Sequence, residues 1–379
     1  MLNNKFKLAF IGGSIHSAVG YTHFVSATMD NQWEIVAGSF SSDSVKNHES
    51  AHVYGVPSNR TYENWQLLLD QEAKNLDAVV VLLPTPDHFE VVEYCIKMCI
   101  PVICEKALTV SSNQAKLLMD LANKFNSFVS VIYNYSTYPM VRELKNIINN
   151  GRIGRVLHFH IEMPQEGFIR TDSLGNKPSP QKWRLHDDFI PTIHLDLAVH
   201  MHQMISFLID QKPEYVIADQ SSNGWFREVV DDVNAMVRYS NGIKGLYWFS
   251  KCSLGHRNGL KVRIYGTNGS AEWVQSNPEE LFVSYANGRR EIIDRASESS
   301  TIGLVQKYHR FKAGHPAGFV EAFANLYKDT HEFLDAYKKS GSARDNKYYN
   351  IETAYEGLVF LEAMQKSVLS NKWEKIESI

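Results

Sequence analysis

Lys7-Leu8-Ala9-Phe10-Ile11-Gly12-Gly13-Ser14 decides the fold of the first part of the chain. A short apolar run reads as a buried strand, and the glycines end it. A helix is predicted from there to about Met29, and Trp33-Glu34-Ile35-Val36-Ala37-Gly38 reads as a second strand. Strand, glycine turn, helix, strand is the opening of a doubly wound parallel sheet. Glycines let the turn backbone approach a pyrophosphate closely. The helix N-terminus adds N–H groups and the positive end of a dipole. The spacing departs from G-x-G-x-x-G, since Ser14 stands where the second glycine belongs and Gly20 comes late. Gly12, Gly13 and Ser14, with the backbone of Ile15 and His16 behind them, form the candidate phosphate cradle.

The end of the second strand bears on which dinucleotide fits. An acid there would hold a ribose 2′-OH, and an arginine nearby would favour a 2′-phosphate. The sequence reads Ser39-Phe40-Ser41-Ser42-Asp43-Ser44, with neither marker at the tip. Ser41 and Ser42 can hydrogen-bond either NAD or NADP, and the lack of an arginine leans to NAD. An amphipathic helix is predicted around Tyr62–Gln71, then a strand from Asp77 to Leu83, closed by Pro84-Thr85-Pro86-Asp87-His88. Another helix runs to about Met98. Pro101-Val102-Ile103-Cys104 is a further strand and leads straight into Glu105-Lys106. A lysine at the carboxyl tip of a buried strand emerges at the edge where such sheets bind ligands, and burial at such a place can lower a lysine's pKa into a useful range. Glu105 can pair with it or hold a ribose hydroxyl. The plainer reading is an ordinary surface lysine at a strand end.

A second polar feature lies in His194-Leu195-Asp196-Leu197-Ala198-Val199-His200-Met201-His202, which opens a run that stays apolar through Leu208. On a helix, Asp196, His200 and Gln203 share one face. Buried polar groups without partners cost roughly 1–3 kcal/mol each, so a polar stripe on a greasy helix has a purpose. One purpose is a satisfied core network. The other is acid–base chemistry by imidazole and carboxylate facing a pocket.

The 379 residues suggest two domains, and the net charge of −3 carries no basic bias towards nucleic acid or anionic membrane. The N-terminus, Met1 to Lys5, lacks signal-peptide architecture, and no apolar run reaches membrane-spanning length. Cys95, Cys99, Cys104 and Cys252 form no CxxC pair and read as buried thiols in a reducing compartment. The expectation is a cytoplasmic protein.

After Gly154 the pattern alternates. Val156–Met163 reads as a strand with one covered face, and Gly167–Lys182 as a loop closed by Trp183-Arg184. Asp232–Tyr239 and Gly245–Phe249 form a hairpin about Asn241-Gly242. Lys261–Tyr265 and Ser270–Val274 form another, and Leu281–Tyr285 adds a strand. Helices are predicted over about Ala317–Tyr337 and Ile351–Leu369. His158, His160, His256 and His309 have no partner at useful spacing and read as structural.

Together these pieces resemble the glucose–fructose oxidoreductase / inositol dehydrogenase / MocA family. Its Glu-Lys-Pro motif is similar to Glu105-Lys106-Ala107, and its Thr-Pro-Asn-x-x-His loop to Leu83-Pro84-Thr85-Pro86-Asp87-His88. Its Asp-x-Gly-x-His helix is similar to Asp196-Leu197-Ala198-Val199-His200. Asn134 to Arg142 and Gly151-Arg152-Ile153-Gly154 resemble the entry to its second domain. Ala313 to Phe319 with Glu321 to Asn325 resembles a sugar and cyclitol dehydrogenase branch. Ala107 replaces a proline that is often cis in the family, Ala198 a glycine, and Thr85 an asparagine.

The resemblance implies an α/β protein: an N-terminal Rossmann-type doubly wound parallel sheet over 1–128, then a C-terminal α+β domain over 129–379 with a large, mostly antiparallel sheet. It implies hydride transfer between NAD or NADP and a carbon of a sugar or cyclitol, with a nucleotide-linked or otherwise anionic sugar as a variant. Lys106 and His200 are then the candidates for proton transfer, and Asp196 orients the imidazole or binds a hydroxyl. Leu83, Pro84, His88, Glu105 and Asn134 border the cofactor. Tyr135, Trp183, Arg184 and His315 join the substrate pocket. The open sheet face is the expected surface of a homodimer or homotetramer. Two rival readings remain: a metal-dependent sugar isomerase or hydrolase using His194, Asp196, His200 and His202, and a cofactor-binding regulator without turnover.

Overall fold

The computed structural model describes residues 5–302, 305–341 and 346–377, so the reading of residues 1–4 lies outside it. The chain divides into two compact units. The first comprises the residues up to Asn134 with Phe319–Tyr355, and the second Tyr135–Gly318 with the stretch from Glu356 on.

In the first unit, strands and helices alternate: β1 (Phe6–Gly12), α1 (Gly20–Thr28), β2 (Trp33–Ser39), α2 (Ser44–Tyr54), α3 (Trp65–Glu72), β3 (Ala78–Leu82), α4 (His88–Lys97), β4 (Val102–Cys104), α5 (Ser112–Phe125) and β5 (Val129–Val131). The strands form one parallel sheet in the order β2-β1-β3-β4-β5. Ala78 to Val81 are wholly buried, as an apolar strand covered on both faces must be. The first helix begins later than the glycine turn suggests. Residues 13–19 form a loop in which Ser17 N–H donates to Ser14 O (2.9 Å) and Gly20 N–H to Ser17 Oγ (3.0 Å).

The second unit holds α6 (Pro139–Asn149), β6 (Val156–Pro164), α7 (Val199–Ile209), β7 (Pro213–Ser221), β8 (Asp232–Tyr239), β9 (Lys244–Ser250), β10 (Lys261–Gly266), β11 (Gly269–Val274), β12 (Asn277–Tyr285) and β13 (Arg290–Ile293). The chain then passes through α8 (Phe319–Ser340), α9 (Ile351–Ser370) and β14 (Glu374–Lys375). A nine-stranded sheet runs β13-β12-β11-β10-β6-β9-β8-β7-β14. Its pairs are antiparallel except β6 with β9. Along β8, Val233, Ala235, Val237 and Tyr239 are buried while Asn234, Met236 and Arg238 are exposed. One face is therefore core, packed by α6 and α7, and the other is open.

The expected boundary between residues 128 and 129 differs from this division. β5 completes the parallel sheet, with Val129 opposite Val102. α8 packs on α1, and the indole N–H of Trp33 donates to the Tyr327 carbonyl (3.0 Å). The polar helix also departs from regularity. His194–Ala198 is a π-helical turn, and α-helical geometry begins only at Val199. The wider turn rotates Asp196 relative to α7 from where a continuous α-helix would put it.

His194 and His202 are core residues. Neither ring nitrogen of either has a hydrogen-bond partner, and the rings pack on Phe249 and Phe360. Burial pushes the His194 pKa from 6.5 down to about 3. Burial also pushes His202 down to about 4, against the opposing charge of Glu356. A depressed histidine pKa means the unfolded chain takes up the proton first, so the stability is present above pH 6.5 and lost as pH falls. Each of these histidines should cost about 1.4 kcal/mol of stability per pH unit below that point. Urea denaturation from pH 7 to 4.5 should show this slope, reduced in His194→Gln or His202→Phe; a flat profile would refute it.

Candidate active site

The carboxyl ends of the first unit's strands converge on one edge. At β1, Gly12 and Gly13 take left-handed φ values of +78° and +72°. A Cβ on Gly13 would sit 2.3 Å from the Leu82 side chain, and one on Gly20 only 2.1 Å from the Gly13 carbonyl. The turn is braced from α2: the Tyr54 hydroxyl donates to Gly13 O (2.9 Å), and Ser50 Oγ accepts from Ile15 N–H (3.1 Å). Ser14 Oγ accepts from His16 N–H (3.2 Å), and the His16 ring meets Glu49 at 2.9 Å. The amides of Ile15 and His16 thus already have protein partners. Gly12, Gly13 and Gly20 leave the turn and the start of α1 bare of side chains, as close approach of a phosphate requires. Beyond β2, Ser41 Oγ accepts from Asp43 N–H (3.1 Å), the Asp43 carboxylate caps α2, and Ser42 is exposed.

Past β3, Leu83 and Pro84 lead to His88, whose ring is fully buried. Its Nδ1 and Nε2 face the carbonyls of Ala107 and Leu83, both at 2.8 Å. Burial lowers its pKa against the pull of those carbonyls. The ring therefore ties the Leu83-Pro84 loop to the segment after Lys106 and has no ring nitrogen left for a ligand. The Lys106–Ala107 peptide bond is cis.

At β4, Glu105 is buried. Its Oε1 accepts from His23 Nε2 (2.9 Å) and its Oε2 from the main-chain N–H of Lys106 (3.0 Å). Burial alone would raise its pKa. The hydrogen bond from His23, the nearby charges and the Lys106 amide outweigh this and hold the carboxyl below the usual range. Asn134, at the end of this unit, is buried.

In the second unit, the His200 ring stands edge-on to Tyr135 at 4.7 Å, and the Tyr135 hydroxyl accepts from Asn258 Nδ2 (3.2 Å). Asp196 Oδ2 is gripped by two cations, the Arg184 guanidinium and the Lys251 ammonium, the latter at 2.5 Å. Arg184 lies over the Trp183 ring at 4.5 Å, and its Nε donates to Gln181 Oε1 (3.2 Å). Lys251 lies over the Phe168 ring at 4.9 Å. His315 is exposed, and the buried Arg295 donates to its carbonyl (2.8 Å).

Sequence reasoning missed Lys251 and His23. Lys251 was legible in principle: Gly245, Tyr247 and Phe249 point inward along β9, and two residues further on so does Lys251. His23 carried no local signal, because its partners lie 82 and 304 residues away. The metal rival loses its donor set. His194 and His202 are core, Asp196 is held by cations, and no three His, Cys, Asp or Glu side chains converge as a metal site among the described residues.

A glycine-turned parallel sheet with Glu105 and Lys106 at its ligand edge has the form of a dinucleotide-binding domain, and a large, mostly antiparallel sheet follows it. The family model "Oxidoreductase family, NAD-binding Rossmann fold" matches residues 6–133, and "GFO/IDH/MocA C-terminal domain" matches residues 141–272. The chain belongs to the Gfo/Idh/MocA oxidoreductase family. It is 28% identical to the oxidoreductase YfiI of Bacillus subtilis (strain 168), over 97% of this chain and 95% of that one. It is 23% identical to levoglucosan dehydrogenase of Pseudarthrobacter phenanthrenivorans, over 87% of each. In fold it matches an inositol dehydrogenase homolog of Azotobacter vinelandii complexed with NADH and myo-inositol: TM-score 0.89, 24% identity, 98% of both chains covered.

The grip on Asp196 can be measured. Lys251→Met should lower the unfolding free energy by roughly 2 kcal/mol, because the largely buried Asp196 carboxylate loses one of its two charged partners. Lys251→Arg should lose less. Urea midpoints that coincide with wild type would show that the pair holds nothing.

Proposed function

We propose that this protein is an NAD-dependent dehydrogenase of a sugar or cyclitol. The observation that carries this reading is Lys106 at the carboxyl tip of β4, its backbone fixed by Glu105, on the same sheet edge as the glycine cradle. The related levoglucosan dehydrogenase and the inositol dehydrogenase homolog bound to NADH and myo-inositol support it. The lean to NAD rests on Ser41-Ser42, where no arginine waits for a 2′-phosphate.

Gly12, Gly13, Ser14 and the α1 N-terminus would hold the pyrophosphate, and Leu83, Pro84, Glu105 and Asn134 would border the nicotinamide half. When bound, the nicotinamide supplies the hydride acceptor or donor. Oxidation also requires removal of the hydroxyl proton. Lys106 is the proposed proton-transfer group, and His200 the second candidate. Asp196, paired with Arg184 and Lys251, is a hydroxyl acceptor in this scheme. Tyr135, Trp183, Arg184 and His315 are the proposed pocket residues. An anionic sugar remains the variant that Arg184 would favour.

The open face of the nine-stranded sheet exposes Met236, Leu246, Phe282 and Ile292. Such an apolar surface suits a second copy of the chain, so a homodimer or homotetramer is proposed. The four free cysteines fit a cytoplasmic location.

Fluorescence titration should give saturable NADH binding, tighter than NADPH. Lys106→Ala should keep that binding but lose about a hundredfold or more in kcat/KM on whichever sugar or cyclitol is turned over. Undiminished turnover would sink the mechanism. Analytical ultracentrifugation should give a dimer or tetramer, with Met236→Glu combined with Leu246→Glu giving monomer; a monomeric wild type would rule the interface out.

A further inference from the structure

Glu105 heads a buried chain of three polar side chains in the first unit, with His23 on α1 and Tyr327 on α8 behind it. His23, on α1, has no exposed surface. Its Nε2 is 2.9 Å from Glu105 Oε1 and its Nδ1 is 2.8 Å from the Tyr327 hydroxyl on α8. The roles follow from the donors available. An ionised carboxylate only accepts, so Nε2–H donates to Glu105, and Nδ1 shares a hydrogen bond with the Tyr327 hydroxyl, which can take either role. Tyr327 is itself anchored, its main-chain carbonyl taking the Trp33 indole N–H at 3.0 Å. The His23 ring is pinned further by the edge of Phe323, with centroids 4.9 Å apart. Tyr327 lies outside both segments matched by the family models, which end at residues 133 and 272.

Such a chain is costly to bury unless each member is satisfied, and here each link is. Its outcome is to orient one carboxylate at the carboxyl tip of β4. That strand lies on the side of β1 and β3 away from β2. A dinucleotide laid across the edge with its adenosine over β2 puts its nicotinamide ribose on the β4 side.

We infer that His23, held by Tyr327, is a positioning residue for the nicotinamide half of the cofactor: it sets the Glu105 carboxylate, and through it the Lys106 backbone, in the geometry that half requires. The inference rests on the proposed cofactor reading and adds two residues to it.

The experiment compares two probes on the full-length protein by fluorescence titration and calorimetry. NADH carries the nicotinamide riboside, and ADP carries only the adenosine and pyrophosphate. His23→Leu should weaken NADH about tenfold, the usual effect of losing a charge-assisted hydrogen bond, and leave ADP within about twofold. His23→Gln, which can still donate to Glu105 and accept from Tyr327, should recover most of the loss. Tyr327→Phe removes one oxygen with little change of shape and should weaken NADH several-fold; it carries the test if His23→Leu does not fold. Unchanged NADH binding in the variants overturns the inference. So does an equal loss for NADH and ADP, which would mean a purely structural role. A wild type that binds neither NADH nor NADPH would instead remove the cofactor reading beneath it.

Discussion

Gly13 and Gly20 bring two pieces of backbone so close that a single methyl group on Gly20 would collide with the Gly13 carbonyl. That approach fixes where α1 begins and how it lies against the end of β1. The position of α1 in turn places His23, three residues in, against Glu105. Glu105 holds the amide of Lys106. A backbone constraint at the first turn of the sheet is thus carried through one helix and two side chains to the tip of the fourth strand. Each link is short and buried, so little of the geometry is left to solvent or to side-chain entropy.

The second unit solves a different problem. Its polar helix carries a carboxylate into a mostly apolar setting, where an isolated charge would be expensive. Arg184 and Lys251 offset that cost at Asp196. They come from the 3-10 turn Lys182–Leu185 and from the residue after β9, so the carboxylate cross-links segments far apart in the chain. His194 and His202 on the same helix take the other course and are held neutral by burial. One short stretch of sequence therefore contains a charged group that is compensated and two titratable groups whose charge is suppressed. Residue type alone does not distinguish them.

The fold was largely legible because it rests on local patterns. The apolar run of β3, the glycines after β1 and the alternation along β8 each report their own environment. Helices α2 and α5 are signalled locally by their caps, Asp43 and Ser111. Helix α1 starts later than the glycine turn predicts because serine hydroxyls, rather than helical hydrogen bonds, organise residues 14 to 20. The π-turn at His194–Ala198 had no signature in the spacing of its residues.

By itself the sequence determined two sheets of different kind, the glycine turn, and the presence of Glu105, Lys106, Asp196 and His200 as groups needing a reason. These follow from periodicity and from the cost of placing polar atoms among apolar ones, both local properties of the chain. Only the tertiary structure decided which partners satisfy those atoms. Glu105 is met by His23 and His23 by Tyr327, while Asp196 is met by Arg184 and Lys251. Hydrogen bonds and ion pairs act over a few ångströms of space without regard to separation along the chain, so these partners became visible only once the chain had closed on itself.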